Sequence, residues 1–275
     1  MSNKVVLITG ATDGLGKHLA QDFAEEGAIL LLHGRNNKKG QKVIQQIKKA
    51  TGNKNLSYYN ADFASLDEIK QLAQKINKEH DRLDLLINNA GIGFGKPGSG
   101  RQLSKDGHEL RFQVNYLAGF ISTLRLLDLL RQSTPARVVN VASIGQQSLD
   151  FDNLMLENGY SGNRAYCQSK LAQILFTVEL AERLGDAGIT VNALHPATYM
   201  DTNMVHEAGI SPANSVQKGA EAVEYVATSR ELEDVTGEFF NVKQRSRANS
   251  QAYDEEARKR LWEISEELTG IESTV

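Results

Sequence analysis

The sequence predicts an α/β fold, a single doubly wound parallel sheet of the Rossmann type with helices on both faces. Apolar runs of strand length alternate with amphipathic stretches along most of the 275 residues. A glycine-rich turn joins the first apolar run to the first amphipathic stretch, which is the connection that opens such a fold. Neither a solenoid repeat nor a low-complexity linker interrupts the pattern. We therefore expect one domain over residues 1–275.

The predicted strands and helices follow one another in pairs along the chain. The predicted strands are residues 5–9, 28–32, 56–60, 83–88, 137–142, 189–194 and, more weakly, 238–242. The predicted helices are residues 15–26, 38–50, 66–80, 107–131, 165–184 and 216–229. A charged tail at residues 254–269 carries Leu261, Trp262, Ile264 and Leu268 on one side, which predicts a C-terminal helix packed on the body or on a partner subunit.

Composition narrows the class of protein. A net charge of −3 and a pI near 6.1 argue against a nucleic-acid-binding surface. The single cysteine, Cys167, excludes an intrachain disulfide and fits a reducing cytoplasm. Apolar runs stay below the ~18 residues of a membrane span, and the first strand begins too early to leave room for a signal peptide. We expect a cytoplasmic protein with no integral membrane segment, no nucleic-acid partner and no metal site.

The turn after the first strand carries a phosphate-binding pattern, with glycine at positions 10, 14 and 16. The run is Thr9, Gly10, Ala11, Thr12, Asp13, Gly14, Leu15 and Gly16. The first glycine permits a tight turn, the second lets the backbone approach a pyrophosphate, and the third permits close packing of helix on sheet. The free N–H groups of the helix that follows attract the phosphates. The turn from Gly10 to Gly16, with Thr12, Asp13 and Leu15, is therefore predicted to bind a dinucleotide.

The end of the second strand indicates which dinucleotide is bound. NAD sites usually carry a carboxylate there, about 20 residues after the glycines. This chain has His33, Gly34, Arg35 and Asn36 instead. Arg35 could bind a 2′-phosphate with help from Lys17 and Lys38, or be a solvated loop arginine. We predict NADP(H) as the preferred cofactor, and NAD(H) stays possible because Asp13 in the turn could oppose a phosphate.

Tyr166 and Lys170 stand four residues apart and so share one face of a helix. A free tyrosine titrates near pH ~10, too high for proton transfer at neutral pH. A lysine charge about 5 Å away, at an effective dielectric of about 20, contributes roughly 3 kcal/mol, or about two pKa units. Taken alone, such a spacing is more often a surface pair, but with the rest of the sequence it predicts an acid–base group.

Together these motifs resemble the classical short-chain dehydrogenase/reductase family. The resemblance runs from Val5 to Asn241 and rests on the glycine turn, the run from Asn88 to Gly91, and the set Asn115, Ser143, Tyr166 and Lys170, in the family's order. Longer runs around Asn115 and Tyr166, and a long interval between Ser143 and Tyr166, are similar to the retinol-dehydrogenase-like and protochlorophyllide-reductase-like branch. That branch often acts on lipophilic or aromatic substrates.

The resemblance implies four catalytic residues. Tyr166 would be the general acid in reduction and the general base in oxidation. Lys170 would lower the pKa of Tyr166 and hold the nicotinamide ribose, and Ser143 would hydrogen-bond the substrate oxygen. Asn115 would hold a water that links Lys170 to solvent. The structural alternatives are a turn cap at Ser143 and a capped helix kink at Asn115.

The resemblance also implies further cofactor contacts. Asn89, Ala90 and Gly91 would line the adenosine and nicotinamide side, and Asp62 would contact adenine with Phe63, unless Asp62 caps the next helix. Pro196, Thr198 and Thr202 would lie near the carboxamide. The family's Pro-Gly is here Pro196 followed by Ala197, and Asp201 takes the usual threonine place. Alanine does not readily adopt a positive φ, so we expect a different local backbone.

Two segments are predicted to frame the substrate. Residues 198–216 follow the sixth strand and carry mobile apolar side chains, which suits a substrate lid. Residues 93–100 are rich in glycine and are expected to form the opposite rim. The helices that contain Asn115 and Tyr166 carry broad apolar faces, and the family resemblance implies that these faces build a homodimer or homotetramer.

The sequence thus predicts an oxidoreductase that moves a hydride between NADP(H) and a carbonyl or alcohol, with a lipophilic or aromatic small molecule as substrate. Two alternatives are an NADPH-dependent C=C reductase and a non-catalytic NADP-binding sensor or scaffold. The sensor alternative is disfavoured because Ser143, Tyr166 and Lys170 are all present.

Overall fold

A computed structural model of the chain describes residues 1–96 and 98–275. Within these residues eight strands form one sheet in the order β3-β2-β1-β4-β5-β6-β7-β8. The strands are β1 (Val5–Ile8), β2 (Ile29–Gly34), β3 (Leu56–Asn60), β4 (Leu85–Asn88), β5 (Ala136–Val141), β6 (Ile189–His195), β7 (Phe239–Asn241) and β8 (Gln244–Ser246). All neighbours pair in parallel except β7 and β8.

Helices cover both faces of the sheet. They are α1 (Gly14–Glu25), α2 (Asn37–Thr51), α3 (Leu66–Glu79), α4 (Ala118–Arg125), α5 (Leu127–Arg131), α6 (Gly162–Leu184), α7 (Asn203–Glu207), α8 (Val216–Thr228) and α9 (Glu255–Thr269). The strand order reverses its direction between β1 and β4, and ligands of doubly wound sheets bind in the crevice at that point. The predicted fold class is confirmed.

The sheet separates two hydrophobic cores. Along β1, Leu7 faces a core that includes Phe120 and Phe176, while Ile8 faces a core that includes Phe23. Alternate residues of a strand point to opposite faces, so a strand covered on both sides must be apolar throughout. Every residue of β1 is buried, in agreement with this requirement.

Polar side chains define where the helices begin. Asp13, Asn36, Ser65 and Ser161 each accept a hydrogen bond from a backbone N–H in the first turn of the helix that follows. These caps set the starts of α1 and α6, the two helices that carry the glycine turn and Tyr166. A short-range sequence signal, the capping side chain, therefore fixes where both of these helices begin.

The predicted single helix over residues 107–131 is wrong in two respects. Gly107 takes a left-handed φ of +86°, and the backbone around it forms a turn bridged from Leu103 to Glu109, so the helix begins later. The helical path is then broken: a π-helix spans Phe112–Leu117, and Leu126 leaves helical geometry between α4 and α5. The apolar periodicity that predicted one helix does not report such irregularities.

The sheet has one strand more than predicted. β8 is a three-residue antiparallel edge strand, Gln244–Ser246, whose polar and largely exposed sequence gives no strand signal. The C-terminal helix predicted in the charged tail is α9, which is capped by Asp254 and packs on the body of the protein. Among the residues that the structure describes, none of the helices combines the length and the apolar character that crossing a bilayer requires.

Candidate active site

The glycine turn lies at the crevice between β1 and β4. Gly10 has a φ of +68°, and a Cβ there would meet the Cα of Ala90 at 2.8 Å. A Cβ on Gly14 would meet the Thr202 methyl at 3.0 Å, and one on Gly16 would collide with the Gly10 carbonyl. The turn is thus a cradle that side chains would fill, which fits the close approach of a pyrophosphate.

The residues after β4 hold this turn in shape. Asn89 donates from Nδ2 to the Thr9 carbonyl at 2.8 Å, and the Thr9 hydroxyl accepts from the backbone N–H groups of Asn89 and Ala90, each at 2.9 Å. Two loops at neighbouring strand ends are thereby locked together. Asn89 and Ala90, predicted as cofactor residues, lie directly against the turn.

A charged cluster occupies the edge of the turn. Asp13 forms an ion pair with Lys39 at 2.6 Å, caps Gly14 N at 2.8 Å, and accepts a hydrogen bond from Asn203. Burial raises the pKa of Asp13, but the hydrogen bonds and the Lys39 charge outweigh it and hold that pKa below its ordinary value. The negative charge at the turn is therefore balanced by a cation from α2.

Arg35 lies at the first position after β2 and is exposed. Lys39, four residues later, stands beside the turn through its contact with Asp13. The sequence suggested Lys17 and Lys38 as helpers of Arg35, whereas Lys39 is the lysine whose side chain forms an ion pair at the turn. Its position in the first turn of α2, set by the Asn36 cap, could have indicated this.

His33 and Phe63 form the adjoining wall. Their rings stack with centroids 4.0 Å apart and an angle of 11° between the planes. His33 accepts a hydrogen bond at Nδ1 from Gly10 N at 3.3 Å and contacts the Ala61 carbonyl through Nε2 at 3.0 Å. Burial lowers the pKa of His33 to about 4, so the ring is neutral, and its two hydrogen bonds tie the glycine turn to Ala61, the residue after β3. Sequence reasoning missed this role.

Asp62 does not cap α3, because Ser65 does. Its Oδ1 accepts from Ala64 N at 3.1 Å, and its Oδ2 lies 3.6 Å from Lys105 Nζ. The ring of Phe63 is buried against His33, and the Phe63 carbonyl accepts a hydrogen bond from Gln113 Nε2 at 3.2 Å.

The four predicted catalytic residues meet beyond the carboxyl ends of β4 and β5. Tyr166 and Lys170 share a face of α6, and Lys170 Nζ lies 5.8 Å from the Tyr166 ring centroid. Ser143, two residues after β5, neighbours the Tyr166 hydroxyl. A Cβ on Gly91 would lie 3.3 Å from Asn115 Oδ1 and 3.6 Å from Lys170 Nζ, so Gly91 borders both.

Asn115 lies in the π-helical segment, where its amide is fully engaged. Oδ1 accepts from Ile92 N at 2.8 Å, and Nδ2 donates to the Ile92 carbonyl at 3.1 Å and to Ser169 Oγ at 2.9 Å. The side chain therefore joins the loop after β4 to α6 beside Lys170. π-helical turns are frequent at functional sites.

Burial is the largest influence on the pKa values of Tyr166 and Lys170. Burial raises the pKa of Tyr166, and the Ser143 hydroxyl opposes that effect only in part. Burial lowers the pKa of Lys170 to about 7, although Nζ donates to the Val141 carbonyl at 2.8 Å and to Gln173 Oε1 at 2.9 Å. Within this chain alone, Lys170 does not bring the pKa of Tyr166 below its ordinary value as the spacing suggested.

The segment after β6 differs from the expected pattern. Ala197 follows Pro196 and is buried, and the left-handed conformation falls on Tyr199, with a φ of +46°. The Thr198 hydroxyl is bonded to His195 Nε2 at 3.0 Å, whereas the Thr202 side chain lies over Gly14. Of the two threonines, Thr202 is the one that borders the glycine cradle.

The predicted lid lies over the same edge. Its ends are tied by Ala213 N, which donates to the Tyr199 carbonyl at 2.8 Å, and its short helix α7 is held at the turn by Asn203. Met204 reaches the opposite loop, where a Cβ on Gly93 would collide with it. Pro97 of the predicted rim 93–100 lies outside the described residues.

Known proteins match both the sequence and this geometry. The family model for short chain dehydrogenase matches residues 4–212. Human retinol dehydrogenase 13 is 36% identical over 288 residues, which cover 98% of this chain and 86% of that protein.

Solved structures share the architecture. An uncharacterized protein from Mycobacterium Paratuberculosis has a TM-score of 0.82 and 29% identity, covering 100% of this chain and 96% of its own. The Pseudomonas aeruginosa RhlG/NADP active-site complex has a TM-score of 0.72 and 25% identity, covering 88% and 95%. With its glycine cradle and its Ser143, Tyr166 and Lys170 at one crevice, this chain belongs to the short-chain dehydrogenase/reductase family of oxidoreductases that bind a nicotinamide cofactor, in the branch of the retinol dehydrogenases.

Proposed function

We propose that this protein transfers a hydride between NADP(H) and the carbonyl or alcohol of a lipophilic or aromatic small molecule, with Tyr166 as general acid and base. The observation that carries the proposal is the meeting of Tyr166, Ser143 and Lys170 beside the glycine cradle at the β1–β4 crevice. When bound, the cofactor supplies or accepts the hydride. Gly10, Gly14 and the N-terminus of α1 would hold its phosphates.

The protein's own residues account for the proton. In reduction, Tyr166 donates the proton of its hydroxyl to the substrate oxygen. The Ser143 hydroxyl donates a hydrogen bond to the same oxygen and stabilises the charge that develops there. Lys170 is buried beside this pair and oriented by the Val141 carbonyl, and Asn115 fixes the loop on its other side. The same groups act in reverse when an alcohol is oxidised.

Preference for NADP(H) over NAD(H) is supported by the charges around the turn. Arg35 is exposed at the end of β2, and Lys39 lies beside the turn. Asp13, which could repel a 2′-phosphate, is already paired with Lys39, so that objection loses weight. Charge-assisted hydrogen bonds to a phosphate are among the strong ones.

The test is consumption of NADPH and NADH by the purified protein against lipophilic aldehydes, ketones and quinones. We expect NADPH-selective turnover that Tyr166→Phe abolishes while NADPH binding persists. Tyr225→Phe, which removes a phenol hydroxyl on α8, is the matched control and should stay active. A Tyr166→Phe protein with wild-type turnover would refute the acid–base role, and a reduced alkene as product would favour the C=C reductase.

A second arm of the experiment addresses the cofactor. Lys39→Ala removes a cation and leaves the Asp13 charge unpaired, so the KM for NADPH should rise about tenfold or more, since hydrogen bonds to charged groups are worth about 1.5–3 kcal/mol. The KM for NADH, which lacks the phosphate, should change little. Lys49→Ala, an exposed lysine at the other end of α2, is the control. Equal effects on both cofactors would remove Lys39 from the proposal.

Assembly and location complete the proposal. The homodimer or homotetramer expected from the sequence relied on the apolar faces of the helices that contain Asn115 and Tyr166. In this chain α9 packs on both, with Trp262 against Phe120 and Phe176. We therefore propose that any self-association uses another surface.

We also propose a cytoplasmic location, which rests on the single cysteine, Cys167.

A further inference from the structure

Phe94 lies directly against the tyrosine proposed to be catalytic. The rings of Phe94 and Tyr166 meet edge to face, with centroids 4.5 Å apart and an angle of 65° between the planes. Phe94 belongs to the loop after β4 and is only partly buried. A Cβ on Gly162, at the start of α6, would collide with the Phe94 carbonyl, so loop and helix are in close contact. Phe94 is thereby fixed as a wall beside the Tyr166 ring.

Arg111 holds this loop through hydrogen bonds to two of its backbone carbonyls. Its Nε donates to the Gly93 carbonyl at 2.8 Å and its Nη2 to the Phe94 carbonyl at 2.9 Å. Its Nη1 donates to the Tyr160 hydroxyl at 2.8 Å, just before α6 begins. One guanidinium therefore joins the Phe94 loop to the helix of Tyr166, and its planar, rigid set of donors suits that task.

The ion pair that includes Arg111 is buried, and removing its charges from water costs free energy. Arg111 is 2% exposed and its carboxylate partner Glu109, at 3.3 Å, is 1% exposed. Burial raises the pKa of Glu109, and Phe112 N and the Arg111 charge oppose that effect. Buried ion pairs often add little stability over apolar residues of similar volume. A contribution to stability therefore does not explain why a buried charge is aimed at two carbonyls of one loop.

Phe94 also borders a cavity. A cavity of about 230 Å³ lies between this loop, the start of α6 and the lid; Phe94, Asn163, Ala208 and Ile210 are on its wall. Phe94 thus borders the cavity and also contacts the Tyr166 ring. A substrate group that extends from the reacting carbonyl toward this cavity would therefore lie against Phe94.

We propose that Phe94 is a specificity-determining residue that limits the bulk of the group next to the reacting carbonyl. Arg111 is a positioning residue that acts through the loop backbone and keeps the Phe94 ring in place. The inference rests on the proposed reductase function, since it describes selectivity in that reaction. Nothing in it requires Phe94 or Arg111 to touch the cofactor.

The test compares a series of carbonyl substrates that differ only in the size of one substituent on the carbonyl carbon. In Phe94→Ala, the ratio of kcat/KM for the bulkiest to that for the smallest substrate should rise about tenfold or more, the usual scale of discrimination by pocket volume. The affinity for NADPH should stay unchanged. Gln102→Ala, an exposed change farther along the segment that follows β4 and outside the cavity wall, is the control and should leave the ratio as it is.

The role of Arg111 needs a variant that folds. Arg111→Ala would leave the Glu109 carboxylate buried and alone, so the double variant Glu109→Gln/Arg111→Met is used instead, which removes both charges at similar volume. The substrate ratio should shift in the same direction as in Phe94→Ala, and Tyr160→Phe, which removes one hydrogen bond, should shift it less. A residue that serves only stability would lower activity toward all substrates alike.

The outcomes distinguish a failure of this inference from a failure of the proposed function. Wild-type turnover with an unchanged ratio in Phe94→Ala would overturn the specificity role alone. A shifted ratio in Phe94→Ala with none in the double variant would overturn the positioning role of Arg111. A wild-type protein without turnover on any carbonyl, together with intact NADPH binding, would overturn the proposed function and this inference with it.

Discussion

At the scale of single residues, the spacing of Tyr166 and Lys170 predicted their contact but not their protonation. The i, i+4 rule requires only that both lie in one helix, which they do. The pKa values depend on burial by β5, the lid and the loop after β4, which no local pattern reveals. Burial raises the pKa of Tyr166 and lowers that of Lys170 to about 7. The two effects follow from the same loss of water.

This leads to a prediction about the titration of Tyr166. Because its pKa is raised, the protonated phenol is the favoured form at neutral pH, and Lys170, which loses its charge near pH 7, does little to stabilise the phenolate at alkaline pH. With no cofactor added, Tyr166 should therefore ionise above the ordinary tyrosine range near pH ~10. The phenol would be available as the acid for reduction throughout neutral pH.

The measurement is the ultraviolet absorbance of phenolate as a function of pH, taken as the difference between wild type and Tyr166→Phe. The difference signal should appear only at strongly alkaline pH. A midpoint well below the ordinary value would show that Lys170 lowers the pKa of Tyr166 without help from a cofactor. Repeating the titration with NADP⁺ would then measure what the positive nicotinamide adds.

At the scale of elements, the sequence predicted what regular periodicity and turn chemistry encode. The seven predicted strands are all present, because buried parallel strands are nearly continuous apolar runs. The π-helix around Asn115 has no local sequence signal, and the Asn115 amide bonds to Ile92 and Ser169, which are distant in sequence. His33 was missed because its partners also lie on other elements, whereas the position of Lys39 in the first turn of α2 could have indicated its contact with the turn.

The C-terminal helix gives a prediction about stability. Trp262 of α9 is 2% exposed and packs against Phe120 at 5.2 Å and Phe176 at 5.9 Å between ring centroids. Arg183 lies 4.2 Å from the same ring. Removal of the indole leaves a cavity between three helices, so Trp262→Ala should lower the free energy of unfolding by about 3–5 kcal/mol.

Urea unfolding would measure this loss, with Glu263→Ala as the control. Glu263 is the exposed neighbour on the same helix, and surface substitutions usually stay within about 0.5 kcal/mol. An equally small effect of Trp262→Ala would mean that α9 is not part of the cooperative fold.

At the scale of the whole molecule, α9 completes the chain's own core. The face of α4 and α6 is apolar, and an uncovered face of that kind would be expected to attract a partner. Here Leu261, Trp262 and Ser265 of α9 are buried on it, Ser265 is 2.6 Å from the Tyr116 hydroxyl, and Arg258 bonds Glu182. The helix from one end of the chain thus occupies the surface that sequence reasoning assigned to a second subunit.

Two variants of α9 test this closure by sedimentation velocity across the micromolar range. Glu263→Lys/Glu267→Lys is the control: it reverses two exposed charges on the outer side of α9 but leaves the helix docked, so it should not uncover the apolar face. Trp262→Glu should undock the helix, uncover Phe120 and Phe176, and produce a new concentration-dependent association. If Trp262→Glu produced no new association, the uncovered face would not attract a partner, and the proposal that α9 closes it against partners would fail.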